Sequence, residues 1–128
     1  MVRAVRSKRA TRVATFQQSD SSTHVAIIGA GRGGTALMEI FAKDPLVQIV
    51  GVAEINPKAP GVALARRLGI PVAPDYRELL EMELVDLIID VTGNSDVEAV
   101  LREFHRMGVT VIGGPSAKFM WQLIEARI

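Results

Sequence analysis

The sequence lacks cysteine altogether and is poor in aromatic residues, and both shortages limit what the protein can do. Its 128 residues contain no cysteine, one tryptophan and one tyrosine. Disulfides, thiolate metal sites and thiol nucleophiles are therefore excluded. Basic residues without interleaved aromatics form no platform for stacking bases, so we expect no nucleic-acid partner. The apolar runs are far shorter than the roughly 20 residues of a membrane-spanning helix, so no transmembrane segment is expected.

Charge is unevenly distributed along the chain, although the net charge is only +1. The first 20 residues contain five arginines or lysines against a single acid, Asp20. We interpret residues 1–23 as a disordered basic leader and residues 24–128 as one folded domain. A transit peptide or a membrane-surface helix is an alternative for this arginine-rich leader. The absence of cysteine suits a cytoplasmic protein, which is the expected location.

Short apolar runs alternate with amphipathic segments from residue 25 onward. The alternation predicts strands at 25–28, 48–53, 71–73, 85–91 and 109–112, and helices at 35–43, 59–68, 76–82, 96–107 and 118–127. Strands that alternate with helices indicate a parallel sheet that is covered on both faces. We therefore predict an α/β fold, a single Rossmann-like domain whose doubly wound, five-stranded sheet has the order 3-2-1-4-5.

The first predicted strand leads directly into a glycine-rich segment, Gly29-Ala30-Gly31-Arg32-Gly33-Gly34. A Gly-x-Gly-x-x-Gly spacing is weak by itself, but here it follows a strand and opens a helix. Gly29 would permit a tight turn, Gly31 would let a pyrophosphate approach, and Gly34 would let helix and strand pack closely. The start of the helix would offer free N–H groups to the anion. The predicted contacts of the dinucleotide here are Gly29, Gly31, Arg32, Gly33 and Gly34; a turn without a ligand is the alternative.

Glu54 ends the second predicted strand, about 20 residues after the last glycine, where an acid binds the adenosine ribose in dinucleotide-binding folds. Its carboxylate would repel the 2′-phosphate of NADP and crowd the 3′-phosphate of coenzyme A. No arginine follows in Ile55-Asn56-Pro57 to offset this repulsion. NAD is therefore the predicted cofactor, NADP and coenzyme A are disfavoured, and Glu54 and Ile55 are predicted contacts. A solvated acid at a strand end is the alternative.

Thr92, Gly93 and Asn94 follow the fourth predicted strand. Open α/β sheets bind ligands beyond the carboxyl ends of their strands, where the strand order reverses. Strands one and four flank that point, so we expect these three residues to contact the middle of the ligand. Asn94 is also placed to cap the next helix, and one turn can do both.

Residues 25–34, 50–57, 85–94 and 110–117 together resemble the nucleotide-binding half of the glucose-fructose oxidoreductase and inositol dehydrogenase family. Homoserine and aspartate dehydrogenases have a similar half, and Rossmann modules of some bacterial sensor histidine kinases resemble the chain more closely still. The resemblance implies the fold and an NAD site but no particular substrate. Where the family carries Glu-Lys-Pro with a catalytic lysine, this sequence has Gly113-Gly114-Pro115. The substrate domain of the family would follow beyond Ile128.

No catalytic residue and no metal ligand is predicted. His24 and His105 are interpreted as ordinary histidines, His105 within a helix, and Lys118 as a surface residue. We therefore expect an NAD(H)-binding module without its own catalytic domain, a sensor or regulator that acts through a protein partner or as a homodimer. An NAD-dependent oxidoreductase subunit, or a minimal dehydrogenase completed by another chain, is the alternative. A relic with an empty site is a third hypothesis.

The last predicted helix is rich in large apolar residues. Phe119 and Leu123 form one i, i+4 pair, and Met120 and Ile124 form another. Trp121 should then point away from this stripe. Exposure of Met120 and Trp121 would mark an interface between two copies. A helix that closes the core is the alternative.

Overall fold

Parallel strands and helices alternate along residues 21–128, which are the residues that this computed structural model describes. The strands are β1 (Thr23–Ile28), β2 (Val47–Ala53), β3 (Val72–Ala73), β4 (Leu87–Asp90) and β5 (Thr110–Ile112). The helices are α1 (Arg32–Phe41), α2 (Pro60–Arg67), α3 (Arg77–Leu80), α4 (Ser95–Glu103) and α5 (Gly114–Glu125). Most of the predicted basic leader, residues 1–20, lies outside the described residues.

The five strands form one parallel sheet with the order β3-β2-β1-β4-β5, which confirms the predicted fold class and topology. The order reverses between β1 and β4, and Ile28 pairs with Ala53 on one side and Asp90 on the other. The segments that follow β1, β2 and β4 therefore emerge side by side at one edge. This edge is where open α/β sheets bind their ligands.

Side chains alternate between two apolar layers on the faces of the sheet. Val25 and Ile27 pack with residues of α1, α2 and α5, whereas Ala26 and Ile28 pack with residues of α3 and α4. Burial of each large aliphatic side chain stabilises the fold by roughly 1.5–3 kcal/mol. Since both faces are covered, the strands can be continuously apolar, as the sequence indicated.

Two helix boundaries differ from the prediction by four residues, and the other helix boundaries differ by less. Helix α4 ends at Glu103 because Phe104 has extended backbone with ψ 124°, so the predicted extension to residue 107 is wrong. His105 consequently lies in a loop and not in a helix. Helix α5 begins at Gly114 and not at Lys118, because Pro115 in its first turn favours helix initiation. None of the helices described within residues 21–128 is long and apolar enough to cross a membrane.

Helix α5 closes the core, so of the two interpretations offered for Met120 and Trp121 the structure favours packing in the core over exposure at an interface. Met120, Trp121 and Ile124 pack against the buried cluster of α1 and α2. The exposed apolar side chains of this helix are Phe119 and Leu123, which are 65% and 42% accessible. The physical reason is the missing side chain of Gly33, which lets the Trp121 indole lie against α1.

Candidate functional site

The glycine loop between β1 and α1 combines a tight turn, a close contact and an open approach. Gly29 adopts a left-handed φ of +109°, which favours glycine. A Cβ added at Gly34 would collide with the backbone oxygen of Gly29, so α1 packs directly on its own loop. A Cβ added at Gly31, by contrast, would meet no described atom within 4 Å. The three roles predicted from the spacing are therefore compatible with the geometry, and the space above Gly31 is free for a ligand.

The amino end of α1 is suited to an anion. Its N-cap is Gly31, which supplies no capping side chain, and the first turn contains no acidic residue. The positive end of the helix dipole is therefore not neutralised by the helix itself. Thr35 closes the first turn through its N–H and its hydroxyl, which both donate to the carbonyl of Gly31 at 2.9 and 2.7 Å.

Arg32 and Gly33, at the start of α1, contact α5 and do not line the cleft. A Cβ added at Gly33 would lie 3.0 Å from the Trp121 indole. The Arg32 guanidinium lies 5.4 Å from the centre of that indole and donates to both carboxylate oxygens of Glu125, at 2.7 and 2.6 Å. The hydrogen bond from Arg32 lowers the pKa of Glu125, and the same bond raises the pKa of Arg32. Only the backbone of these two loop residues is left for a dinucleotide.

Glu54 ties the end of β2 to the glycine loop. Its Oε1 accepts a hydrogen bond from the N–H of Ala30 at 2.7 Å, and its Oε2 accepts one from Asn56 at 3.0 Å. A carboxylate has further lone pairs on both oxygens, so Glu54 can still accept hydrogen bonds from a ribose diol. The carbonyl of Ala30 accepts from the N–H of Gly61 at 2.7 Å. Gly61 was not predicted as part of the site, although a Cβ there would lie 2.6 Å from this carbonyl.

The three predicted segments share a cleft of about 290 Å³ at the carboxyl edge of the sheet. Of the predicted site residues, it brings together Gly29, Gly31, Glu54, Ile55, Thr92 and Asn94. Arg32, Gly33, Gly34 and Gly93 do not line it. The sequence interpretation missed Pro74, Tyr76 and Val97, which form apolar walls next to Glu54. Tyr76 follows the third strand at this same edge, which was the available signal.

Hydrogen bonds between neighbouring residues hold the turn after β4. Asp90 Oδ1 accepts from the N–H of Thr92 at 2.9 Å and from its hydroxyl at 2.6 Å. The Thr92 hydroxyl accepts from the N–H of Asn94 at 3.1 Å. Asn94 Oδ1 then accepts from the N–H groups of Asp96 and Val97 at 2.8 and 3.2 Å and caps α4. Asn94 thus lines the cleft and caps a helix, as the sequence allowed.

The remaining candidate residues lie apart from the cleft. Lys118 is exposed and lines a neighbouring opening of about 560 Å³ together with Thr92 and Trp121. His24 contacts Asp86 at the opposite end of β1, with Nδ1 and Oδ2 3.1 Å apart. Within residues 21–128, no three histidine or acidic side chains gather in a way that could hold a metal ion.

A parallel sheet with this strand order, a glycine loop before α1 and an acid after β2 define a dinucleotide-binding domain of the Rossmann class. A family model described as "Oxidoreductase family, NAD-binding Rossmann fold" matches residues 23–113. The chain belongs to this family, which confirms the resemblance and the NAD cofactor predicted from the sequence.

Curated relatives of the chain include acetaldehyde dehydrogenases, which the sequence interpretation did not name. Acetaldehyde dehydrogenase 5 of Rhodococcus jostii is 35% identical over 93 residues, covering 69% of this chain and 28% of the relative. Acetaldehyde dehydrogenase of a Pseudomonas species is 36% identical over 81 residues, covering 62% and 23%. The chain thus spans about a quarter of the length of these relatives.

Solved structures with the same fold include inositol dehydrogenases. Myo-inositol dehydrogenase from Corynebacterium glutamicum superposes with a TM-score of 0.61 at 18% identity, covering 83% of this chain and 33% of that one. The enzyme from Lactobacillus casei, in complex with NAD(H) and myo-inositol, gives a TM-score of 0.60 at 19% identity, with 84% and 34% covered. At this level of identity the likeness concerns the fold.

Proposed function

We propose that this domain binds NAD(H) for an NAD-dependent oxidoreductase, with the adenosine half in the cleft beside Glu54. The observation that carries the proposal is the convergence at one sheet edge of an open glycine loop, the Glu54 carboxylate and an apolar cleft of about 290 Å³. Such a combination of apolar walls with a few convergent polar groups is typical of small-molecule sites.

Each part of the cleft suits one part of the cofactor. The start of α1 would bind the pyrophosphate through its N–H groups above Gly31. Glu54 would accept the ribose hydroxyls, while Ile55, Tyr76 and Val97 would contact the adenine. Ile55 is 82% exposed, so it has surface left to bury against a base. NAD supplies hydride transfer when it is bound, and these residues bind and orient it.

The oxidoreductase role rests on the family and on the relatives reported above, which favour this alternative over the sensor expected from the sequence. Gly114 stands where the resemblance implies a catalytic lysine, so we infer that another part of the protein or another chain supplies the proton-transferring group. We expect the substrate to bind to that same part or chain.

A regulatory NAD(H)-binding module is the second candidate, and the observation that favours it is Gly114 at the position of the family's catalytic lysine. Turnover of acetaldehyde or myo-inositol with NAD⁺ by the full chain would support the oxidoreductase. A nucleotide-dependent change of association state without turnover would support the regulator. The homodimer or protein partner and the cytoplasmic location remain predictions.

The cofactor site is tested by the affinities of NAD⁺ and NADP⁺ for the full chain and for Glu54→Ala, measured by titration calorimetry. Wild type should prefer NAD⁺, because the Glu54 carboxylate accepts the ribose hydroxyls and repels a 2′-phosphate. Loss of hydrogen bonds to a charged group costs about 1.5–3 kcal/mol, so NAD⁺ should bind roughly ten- to a hundredfold more weakly to the variant. The ratio of the affinities for NAD⁺ and NADP⁺ should therefore be smaller in the variant than in wild type.

Glu103→Ala is the matched control, because Glu103 is an exposed acid at the end of α4, away from the cleft. This control should leave both affinities unchanged. If Glu54→Ala kept the wild-type preference for NAD⁺ over NADP⁺, Glu54 would not be the residue that contacts the ribose.

A further inference from the structure

Asp90 is the one charged residue that is buried within the described part of the chain, with 3% of its surface accessible. Burial of a carboxylate is costly unless hydrogen bonds satisfy its oxygens. Both hydrogen bonds that Asp90 receives, from the N–H and the hydroxyl of Thr92, end on Oδ1. Within residues 21–128, Oδ2 accepts no hydrogen bond. Half of this buried carboxylate therefore still needs a donor.

The free oxygen lies beside Gly113, whose missing side chain leaves room next to it. A Cβ added at Gly113 would lie 3.5 Å from Asp90 Cβ and 3.7 Å from Oδ2. Asp90 and Gly113 line an opening of about 300 Å³. Asp90 and Glu98 also line a second opening of about 560 Å³, which contains Lys118 and shares Gly114 and Pro115 with the first. The two bonds from Thr92 hold Oδ1, so Oδ2 is the oxygen left beside Gly113 and these two openings.

The larger opening adjoins the nucleotide cleft, and Val91 and Thr92 line both. A dinucleotide crosses the crevice at which the strand order reverses, here between β1 and β4. With the adenosine at Glu54, on the β2 side, the other half of the dinucleotide extends toward β4. That half ends in a nicotinamide ring, whose carboxamide carries an NH₂ donor.

We propose that Asp90 binds the nicotinamide carboxamide of NAD(H) by accepting a hydrogen bond from its NH₂ group at Oδ2. The inference rests on the proposed function. Thr92 acts as a positioning residue, because it occupies Oδ1 with two donors and leaves Oδ2 for the ligand. The unpaired half of the carboxylate thereby becomes a specificity determinant for an amide over an acid at this position of the pyridine ring.

The test compares three ligands by titration calorimetry on the full chain: NAD⁺, its deamido analogue nicotinic acid adenine dinucleotide, and ADP-ribose, which lacks the ring. Wild type should bind NAD⁺ at least about tenfold more tightly than the deamido analogue, because a second carboxylate would be repelled by Asp90. In Asp90→Asn the amide oxygen can still accept both bonds from Thr92, while an NH₂ group replaces Oδ2. The variant's preference for NAD⁺ over the deamido analogue should then be smaller or reversed, and its affinity for ADP-ribose should be unchanged.

Asp96→Asn, an exposed acid in the first turn of α4, is the matched control and should keep the wild-type ratio. Equal affinity of wild type for NAD⁺ and its deamido analogue would overturn the inference, and this comparison requires no variant to fold. Weaker binding of ADP-ribose to a folded Asp90→Asn would overturn it too, since Asp90 would then act only by shaping the turn. Both outcomes leave the proposed function intact, whereas failure of wild type to bind NAD⁺ and ADP-ribose would contradict the proposed function itself.

Discussion

Gly31 and Gly34 have opposite tasks at the residue scale, although the same motif contains both. The missing side chain of Gly34 accommodates the protein's own backbone at Gly29, whereas that of Gly31 leaves empty space. Stability should therefore depend on Gly34, and ligand binding on Gly31.

Gly34→Ala should destabilise the fold by more than the roughly 1–3 kcal/mol typical of overpacking, because its Cβ would meet backbone and not a flexible side chain. Urea unfolding of the variant measures this loss. Gly31→Ala is the matched control and should change the free energy of unfolding by less than about 0.5 kcal/mol. Equal stability of the two variants would contradict the packing described for the loop.

The sequence was most informative where a residue's role is local. That Gly29, Gly31, Glu54 and Asn94 line one cleft could be predicted, because strand ends, spacing and capping are encoded by neighbouring residues. Tyr76 and Val97 were missed, because their place in the cleft depends on how β3 and α4 pack against the sheet. A strand of two residues, such as β3, carries almost no pattern of its own.

Asp90 is a further residue whose place in the site could not be predicted from its neighbours in the sequence. The run Leu87-Ile88-Ile89-Asp90 predicts a buried strand, but nothing local indicates that the acid at its end is buried and half satisfied. That property depends on the β4–β5 pairing, which brings Gly113 beside the carboxylate.

At the element scale, α5 is joined to the glycine loop by the Arg32–Glu125 pair and the stacking of Arg32 on Trp121. The helix was predicted to begin four residues too late, and the sequence left open which of its faces points inward. Apolar residues occupy both sides of α5, so periodicity alone could not decide which side faces the core. The contact with Gly33, far away in the sequence, decides it.

The Arg32–Glu125 pair should make stability depend on pH. Because Arg32 lowers the pKa of Glu125 in the folded state, the contribution is fully present above the unfolded pKa of a glutamate, about 4.3. It is lost as pH falls through the lower, folded pKa. The difference in Tm between wild type and Glu125→Gln should therefore be positive at pH 7 and shrink as the pH is lowered toward 3.

The effect should be small and should weaken with salt, because the Arg32 side chain is largely exposed. Glu103→Gln replaces an exposed acid at the end of α4, away from Arg32, and should show no such dependence on pH. A difference in Tm that stays constant from pH 7 to 3 would rule out the ion pair as its cause.

At the scale of the whole molecule, the topology brings three distant segments to one edge of the sheet. The loop after β1, the acid after β2 and the turn after β4 are up to about 60 residues apart in sequence, yet the β2-β1-β4 order places them next to one another. Fold class and strand order could be predicted from the alternation of strands and helices. The adjoining opening, by contrast, depends on the packing of α5 against β4 and could not.

The central claim is that the open space above Gly31 is where the protein binds NAD. Titration of the full chain with NAD⁺ by calorimetry, for wild type and Gly31→Val, tests it most directly. The account predicts saturable binding to wild type and none to Gly31→Val, with Tm nearly unchanged because the added side chain meets no described atom at its Cβ. Wild-type affinity in a folded Gly31→Val, or no binding of NAD⁺ to wild type, would contradict the account.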